Sequence, residues 1–175
     1  MKNIKIKKTK IALLDRDGVI NKNKINDGYI GYEKDFYWQK GAKKTIKYLK
    51  NLDYKIYVIT NQSGIARNFF KYNDVVKLHK SINLELKREN TRIDAFYFCP
   101  HHIDGVIKKY SIKCKCRKPE TNLFKKIKKK FNIDYDKSFM VGDQKTDMLF
   151  ARKIKIKGFL FKDGSLYKFI KEKLK

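Results

Sequence analysis

An apolar run that ends abruptly in two carboxylates constrains the fold of this chain more than any other feature. The run Ile11-Ala-Leu-Leu is followed at once by Asp15 and Asp17, and then by Gly18. This pattern is typical of a buried strand whose carboxyl end reaches a crevice. Residues i and i+2 of a strand point the same way, so both carboxylates can approach one ligand. Because two such carboxylates repel, we expect a cation between them, and Mg²⁺ prefers oxygen ligands.

Two further apolar runs end in the same way. The run over 55–60 ends at Thr60, and the run over 138–142 is followed by Asp143. Helical patterns separate the runs, and strands that alternate with helices predict a parallel sheet whose ligands bind outside the carboxyl ends of the strands. The first two carboxylates alone would also fit a solvated turn. Three runs that end at one sheet edge favour a functional site there.

The sequence predicts an α/β fold: a Rossmann-like three-layer sandwich with a central parallel sheet and a minimal cap, in one domain over 1–175. Expected strands cover residues 10–15, 55–60, 92–98, 138–143 and 158–161. Expected helices cover residues 41–52, 73–88, 121–131, 146–153 and 165–174. A long polar loop over 16–37 directly follows the two carboxylates. Loops of that length usually have a task, such as covering a site.

The net charge of +26 makes nucleic acid a candidate partner. Only six of the 44 basic residues are Arg, and the Lys residues are spread over every predicted helix. That spread favours an A/T-rich coding bias over a dedicated nucleic-acid surface. No run approaches the roughly 18 apolar residues of a membrane span. The N-terminus has no apolar segment typical of a signal peptide, so we expect a cytoplasmic protein.

The three cysteines of the chain lie in two short motifs. An odd number of cysteines without a signal peptide argues against a disulfide framework. Cys99 and His101, followed by Cys114 and Cys116, supply four ligands that suit a closed, tetrahedral, structural Zn²⁺ site. Residues 99–116, here the Cys/His loop, are therefore predicted to be a zinc-binding loop. Free thiols in a loop are the alternative, and His102 is the alternative ligand.

Together these motifs resemble the four motifs of the haloacid dehalogenase superfamily of phosphatases. The matching residues are the Asp15-Arg-Asp17-Gly-Val motif, Thr60, Lys118, and the pair Asp143 and Asp147. The resemblance is closer still to the D-glycero-D-manno-heptose-1,7-bisphosphate 7-phosphatases and, next to them, the histidinol-phosphate phosphatases. It rests on the segments Leu14–Asn21, Thr60–Arg67, Cys99–His102 and Cys114–Pro119. The resemblance covers residues 10–153.

The resemblance implies a Mg²⁺-dependent phosphomonoester hydrolase that works through an aspartyl-phosphate. Asp15 would be the nucleophile, and the side chain of Asp17 would be the general acid and base. The implied Mg²⁺ ligands are Asp15, the backbone carbonyl of Asp17 and the carboxylate of Asp143. Thr60 and Lys118 would stabilise the transferring phosphoryl group.

The implied substrate contacts lie on loops around this site. Arg117 would hold a second anionic or hydroxyl-rich part of the substrate. The other implied contacts are Asn61, Gln62, Ser63, Asp27, Gly28 and Tyr29. Asp147 is expected to support the metal site or to act as a first-turn helix carboxylate. Gln144 stands where the resemblance leads us to expect Lys, and His79 is expected to be a core-edge histidine.

The expected substrate is D-glycero-D-manno-heptose 1,7-bisphosphate, with removal of the 7-phosphate, in the synthesis of nucleotide-activated heptose for lipopolysaccharide or surface polysaccharide. The alternatives are a histidinol-phosphate phosphatase of histidine biosynthesis, a polynucleotide 3'-phosphatase, and a non-catalytic zinc-stabilised nucleic-acid binder. The complete set of catalytic motif residues argues against the binder, which would need none of them. Because the chain has no long cap insertion, we expect a monomer with an open site.

Overall fold

Within residues 8–23 and 28–175, which the computed structural model describes, five parallel strands form a central sheet in the order β3-β2-β1-β4-β5. The strands are β1 Ile11–Leu14, β2 Lys55–Asn61, β3 Ala95–Cys99, β4 Phe139–Gly142 and β5 Lys157–Leu160. The helices are α1 Ala42–Asn51, α2 Tyr72–Arg88, α3 Asn122–Lys128, α4 Lys145–Lys153 and α5 Leu166–Lys173. No helix in these two ranges is both long enough and apolar enough to cross a membrane.

Helices cover both faces of the sheet. Successive side chains of a strand point to opposite faces, so Ala12 and Leu14 of β1 join one core cluster, with residues of α1, α2 and α5. Ile11 and Leu13 join a second cluster, with residues of α3 and α4. The predicted three-layer α/β fold with a central parallel sheet is confirmed.

Two element boundaries differ from the sequence prediction by more than one residue. The predicted strand over 92–98 begins only at Ala95, because the side chain of Asn83 binds both backbone polar groups of Ile93 at 2.9 Å. The predicted helix over 121–131 ends at Lys128. The N–H of Lys130 bonds to the carbonyl of Ile127, three residues back, and turns the chain.

The sheet order places the predicted site at the middle of one edge. Strand β1 lies between β2 and β4, with Leu14 opposite both Val58 and Val141. The chain continues to β2 and β3 on one side of β1, and returns to β4 and β5 on the other. Ligands of such sheets bind in the crevice at this reversal, outside the carboxyl ends of the strands. Asp15 and Asp143 follow β1 and β4 at that point.

Candidate active site

Asp15 lies at the centre of the crevice and is only 8% exposed. One of its oxygens, Oδ1, accepts the backbone N–H of Arg16 at 2.7 Å and lies 3.0 Å from Nζ of Lys118. Burial raises the pKa of Asp15 to about 7, although Lys118 acts in the opposite direction. Because burial disfavours the charged carboxylate, a further cation beside Asp15 would favour its ionised, nucleophilic form.

Lys118 is 3% exposed and bridges two carboxylates. Its Nζ lies 3.0 Å from Asp15 Oδ1 and 2.6 Å from Asp147 Oδ1. Burial opposes the charge of Lys118, but the two carboxylates outweigh it and raise its pKa. The other oxygen of Asp147 accepts the backbone N–H of Gln144 at 3.0 Å, at the start of α4. Asp147 therefore pairs with Lys118 and also acts as the first-turn carboxylate of α4, the second of the two roles predicted for it.

Three carboxylates form a cluster with the spacing of a metal site. One oxygen each of Asp15, Asp143 and Asp147 lies within 4.8 Å of the others. This donor set fits a hard cation such as Mg²⁺. Asp143 is half-buried, and its Oδ2 accepts hydrogen bonds from Asn23 and Gln144 at 3.2 and 2.9 Å. Since Asp147 already binds Lys118 and the helix start, Asp15 and Asp143 are the carboxylates best placed to hold the cation.

Asp17 has a different environment, in which both carboxylate oxygens accept hydrogen bonds from protein groups. Arg16 donates to both oxygens at 3.0–3.1 Å, Asn21 donates at 3.0 Å and Gln62 at 2.8 Å. The same Gln62 nitrogen lies 3.0 Å from Oγ1 of Thr60. Asp17 and Thr60, which were predicted independently, therefore share a partner. The roles of Arg16 and Asn21 escaped the sequence analysis, although both residues lie in the quoted Leu14–Asn21 segment.

The Cys/His loop brings its four predicted ligands together. The sulfurs and the Nδ1 atom of Cys99, His101, Cys114 and Cys116 all lie within 4.8 Å of one another. A tetrahedral site with Zn–S bonds of about 2.3 Å would place sulfurs about 3.8 Å apart. Cys114 lies 3.5 Å from both other cysteines, whereas Cys99 and Cys116 lie 2.8 Å apart and would have to separate to hold the ion. Hydrogen bonding between Cys99 and Cys116 lowers the pKa of Cys116 to about 5 and raises that of Cys99. A thiolate is the form that binds zinc, so the cluster fits the ion.

Comparisons with known proteins show which family the chain belongs to. The family model described as polynucleotide kinase 3 phosphatase matches residues 10–159. A D-glycero-beta-D-manno-heptose-1,7-bisphosphate 7-phosphatase of Rhodopseudomonas palustris is 38% identical over 163 residues, which span 93% of this chain and 89% of the relative. A D-glycero-alpha-D-manno-heptose-1,7-bisphosphate 7-phosphatase of Photorhabdus laumondii is 36% identical over 158 residues, 90% of this chain and 85% of the relative.

A solved structure extends the likeness from sequence to fold. It is the D,D-heptose 1,7-bisphosphate phosphatase of B. bronchiseptica, complexed with magnesium and phosphate. The TM-score is 0.78 at 27% sequence identity, and the match covers 94% of this chain and 87% of that one. The chain is a phosphatase of the haloacid dehalogenase superfamily. The predictions of the superfamily and of a phosphatase are confirmed.

In this phosphatase, two of the predicted substrate contacts form hydrogen bonds with other residues of the chain. Asn61 binds the backbone of Lys118 twice, through its Oδ1 at 2.9 Å and its Nδ2 at 3.2 Å. Gln62 is buried and binds Arg16 and Asp17. The side-chain amides of both residues are therefore engaged. Ser63, next in the chain, is 7% exposed.

The structure describes three of the four other predicted contacts of the phosphatase, Gly28, Tyr29 and Arg117. Gly28 is exposed, and Tyr29 stacks on Phe69 with ring centroids 4.8 Å apart. Asp27 falls outside the described residues. Arg117 is half-buried and lies with its Nη1 3.4 Å from the carbonyl of His101. The predicted contacts thus come from three separate loops.

A second arginine was missed by the sequence analysis. Nη2 of Arg67 lies 3.4 Å from Nδ1 of His102. Burial, followed by the charges of Arg117 and Arg67, lowers the pKa of His102. Within the described ranges, neither arginine has a carboxylate oxygen within 4 Å. Both guanidinium groups therefore act on His102, whose Nδ1 also lies 3.6 Å from a carboxylate oxygen of Asp104.

The Cys/His loop is attached to the turn that carries Arg67. The backbone N–H groups of Val106 and Ile107 both donate to the carbonyl of Ala66, at 2.7 and 2.9 Å. The Cys/His loop also leads directly into Arg117 and Lys118. A change that loosens the Cys/His loop would therefore displace Arg117 and Lys118.

Proposed function

We propose that this phosphatase removes the 7-phosphate of a D-glycero-D-manno-heptose 1,7-bisphosphate through an aspartyl-phosphate. The observation that carries the proposal is the position of Asp15, the nucleophile, between Lys118 and the carboxylate of Asp143 at the reversal of the sheet. Relatives named as heptose bisphosphate phosphatases across most of the chain support the substrate. Their names include both anomers, and we propose no preference between them.

In the proposed first step, an oxygen of Asp15 attacks phosphorus and the bond to the sugar oxygen breaks. Asp17 gives its proton to that leaving oxygen, and then takes a proton from the water that attacks the aspartyl-phosphate. Inorganic phosphate leaves and Asp15 is restored. Lys118 and the hydroxyl of Thr60 stabilise the charge of the phosphoryl group during transfer.

Mg²⁺ would be held by Asp15, Asp143 and the backbone carbonyl of Asp17. When bound, it supplies the positive charge that lets an anionic nucleophile meet an anionic phosphate. The carboxylate cluster of this chain supports that assignment. Asp147 supports the site through Lys118, and Asn61 through the backbone of the same lysine.

A structural Zn²⁺ would be held by Cys99, His101, Cys114 and Cys116. Four protein ligands would complete the tetrahedral coordination and leave no open position for water or substrate. The ion would therefore stabilise the Cys/His loop and take no part in catalysis. Through that loop it would fix the place of Arg117 and Lys118. His102 faces Arg67 instead of the cluster, which favours His101 as the fourth ligand.

The second phosphate of the substrate would bind between Arg117 and Arg67. Among the described residues neither arginine has a carboxylate partner, and both act on His102, so an anion there would meet two positive charges and only the carboxylate of Asp104 against them. Ser63, Gly28 and Tyr29 lie on the remaining loops and would contact the sugar. We further propose that the chain works as a monomer in the cytoplasm, with the one central sheet of the described residues and its covering helices as a single domain.

A side-by-side substrate panel tests this function. The panel contains heptose 1,7-bisphosphate, heptose 7-phosphate, histidinol phosphate and a DNA oligonucleotide with a 3'-phosphate, at physiological salt. We expect the highest kcat/KM for the bisphosphate and a value lower by about ten- to a hundred-fold for the heptose monophosphate, the span of one charge-assisted contact. Arg117→Ala should erase most of that difference.

Lys113→Ala is the matched control, because Lys113 is an exposed cation of the same Cys/His loop. This control variant removes the same charge from the general positive field but leaves Arg117 in place. It should therefore keep the preference for the bisphosphate. Equal or better kcat/KM on histidinol phosphate or on the DNA end would refute the heptose assignment. Both outcomes would leave the phosphatase chemistry intact.

A further inference from the structure

Arg16 lies between the two motif aspartates and is completely buried, with 0% exposure. Burial of a charged group is unfavourable unless the charge is paired and its donors are satisfied. The guanidinium binds Asp17 through Nε at 3.1 Å and through Nη2 at 3.0 Å to each oxygen. Its Nη2 also donates to Oε1 of Gln62 at 2.9 Å and to the carbonyl of Ile30. Asp17 is therefore the carboxylate that balances the charge of Arg16, and the other contacts are neutral.

His79 supports this arginine from the opposite side. It lies on α2, is 5% exposed, and stacks on Phe96 with ring centroids 4.4 Å apart and an interplanar angle of 16°. Its Nε2 lies 3.4 Å from Nη1 of Arg16. Burial, and then the charge of Arg16, keep the pKa of His79 well below its usual value. A neutral imidazole can accept a hydrogen bond at Nε2, so the histidine suits a buried guanidinium.

The partners of Arg16 belong to three separate parts of the fold. His79 lies on α2, Gln62 follows β2, and Ile30 is a buried residue of the loop that leads away from the motif. Each of these residues is held by core packing or by further hydrogen bonds. Asp17 is therefore fixed by a guanidinium whose own position is determined at three points.

A gain in folding stability does not by itself explain a completely buried arginine paired with an aspartate. Well-packed apolar residues often replace a buried ion pair with little loss of stability, or with a gain. A planar fork that binds both oxygens of one carboxylate does provide something else, namely a defined orientation. Asp17 is the residue whose orientation would matter most to proton transfer, because the proton must reach the leaving oxygen over hydrogen-bond distance.

We propose that Arg16 is a positioning residue, which with His79 and Gln62 holds the carboxylate of Asp17 where it can protonate the leaving oxygen. The inference rests on the general acid role of Asp17 in the proposed function. It does not depend on which sugar phosphate is the substrate. Because Arg16 is completely buried, it would act through Asp17 and not by contact with the substrate.

The dependence of kcat/KM on the leaving group separates positioning from mere stability. A general acid matters for an alkyl phosphate, whose alkoxide is a poor leaving group, and little for p-nitrophenyl phosphate, whose phenolate leaves readily. Arg16→Lys keeps the charge but loses the two-pronged contact. We expect it to lower kcat/KM for β-glycerol phosphate by about a hundred-fold and for p-nitrophenyl phosphate by at most about ten-fold, within the range of acid–base effects.

Three variants complete the experiment. Asp17→Asn removes the acid itself, and the ratio of its losses of kcat/KM on the two substrates defines the leaving-group signature. Arg88→Lys repeats the arginine-to-lysine substitution at an exposed position of α2. His79→Leu keeps Arg16 and its contact with Asp17, and removes only the imidazole support. It should therefore show the same signature at a smaller size, even if Arg16→Lys fails to fold. Melting temperatures are measured for all four proteins.

The inference is supported if two variants, Arg16→Lys and His79→Leu, lose more kcat/KM on β-glycerol phosphate than on p-nitrophenyl phosphate, as Asp17→Asn does. The Arg88→Lys control should be unchanged on both substrates. Equal losses on both substrates in Arg16→Lys and His79→Leu, with the signature present in Asp17→Asn, would overturn it and leave the proposed function standing. An Asp17→Asn variant without any leaving-group signature would refute the acid role of Asp17, and the inference with it.

Discussion

Replacement of Lys118 by Met tests the buried charge network at the centre of the site. Met has nearly the length of Lys and fills the same space, so Lys118→Met removes the charge with little change in packing. It leaves Asp15 and Asp147 buried without the cation that lies 3.0 and 2.6 Å from their oxygens. The variant should therefore lose both stability and activity, for separate reasons.

The size of the stability loss follows from the burial of the network. Removal of one partner from a buried ion pair costs about 3–5 kcal/mol, because the remaining charge has neither water nor a counter-ion. In a domain of this size, 1 kcal/mol corresponds to about 2–4 °C in melting temperature. We expect Lys118→Met to melt about 6–20 °C below the parent protein in buffer with a chelator. Lys153→Met is the matched control, because Lys153 pairs with Glu120 at 2.7 Å on the surface and should leave the melting temperature nearly unchanged.

The activity loss has a different origin. Lys118 would stabilise charge on the transferring phosphoryl group, and the loss of one such donor typically lowers kcat about 10²–10³-fold. The double variant Lys118→Met, Asp147→Asn separates the two effects. In the double variant, the amide oxygen of the new Asn side chain can still accept the N–H of Gln144. The unpaired negative charge of Asp147 is removed. The double variant should therefore regain part of the lost melting temperature and none of the lost activity.

The assay combines thermal melting with hydrolysis of p-nitrophenyl phosphate at saturating Mg²⁺. A melting temperature of Lys118→Met within 2–3 °C of the parent, roughly the effect of 1 kcal/mol, would show that the lysine does not compensate the buried carboxylates. Activity restored in the double variant would mean that Lys118 serves only to neutralise Asp147. Both results would contradict the place of Lys118 in the proposed mechanism.

Two further predictions address the nucleophile and the metal-binding loop. Asp15→Asn should lower turnover by several orders of magnitude, as expected for a covalent nucleophile, without a loss of melting temperature; residual activity above a few per cent would contradict the assignment. Purified parent protein should contain one zinc per chain by metal analysis in reducing, chelator-free buffer, and a content near zero would rule the zinc site out. Cys114→Ser should release that zinc and lower activity indirectly, whereas Ser111→Ala, in the same loop but outside the cluster, should retain it.

The edge of the sheet where the site lies could be predicted from local patterns. An apolar run such as 11–14 has few alternatives to a buried strand, and helical patterns between the runs require parallel pairing. Parallel strands have their carboxyl ends at one edge, so Asp15 and Asp143 were expected near one another before any distance was known. The four members of the Cys/His cluster were predicted from their two short motifs together with the family resemblance, with His102 as the alternative ligand.

The start of β3 shows where local patterns fail. The residues from Arg92 onward fit a strand, yet the ladder begins at Ala95. The side chain of Asn83, ten positions earlier, takes both backbone polar groups of Ile93. A side chain on a neighbouring helix can compete with the sheet only after that helix has packed, and this competition is invisible in the residue pattern.

By itself, the sequence determined the layered fold, the edge that carries the site and the types of side chain present there, because all three follow from periodicity and motif order. Only the tertiary structure decided which groups pair. Arg16 and Asp17 are neighbours in sequence, but their other partners, Gln62 and His79, come from 46 and 63 positions beyond Arg16. A buried charge requires all its hydrogen bonds to be satisfied at once. The partners that achieve this are brought together by the packing of distant elements, which no local pattern encodes.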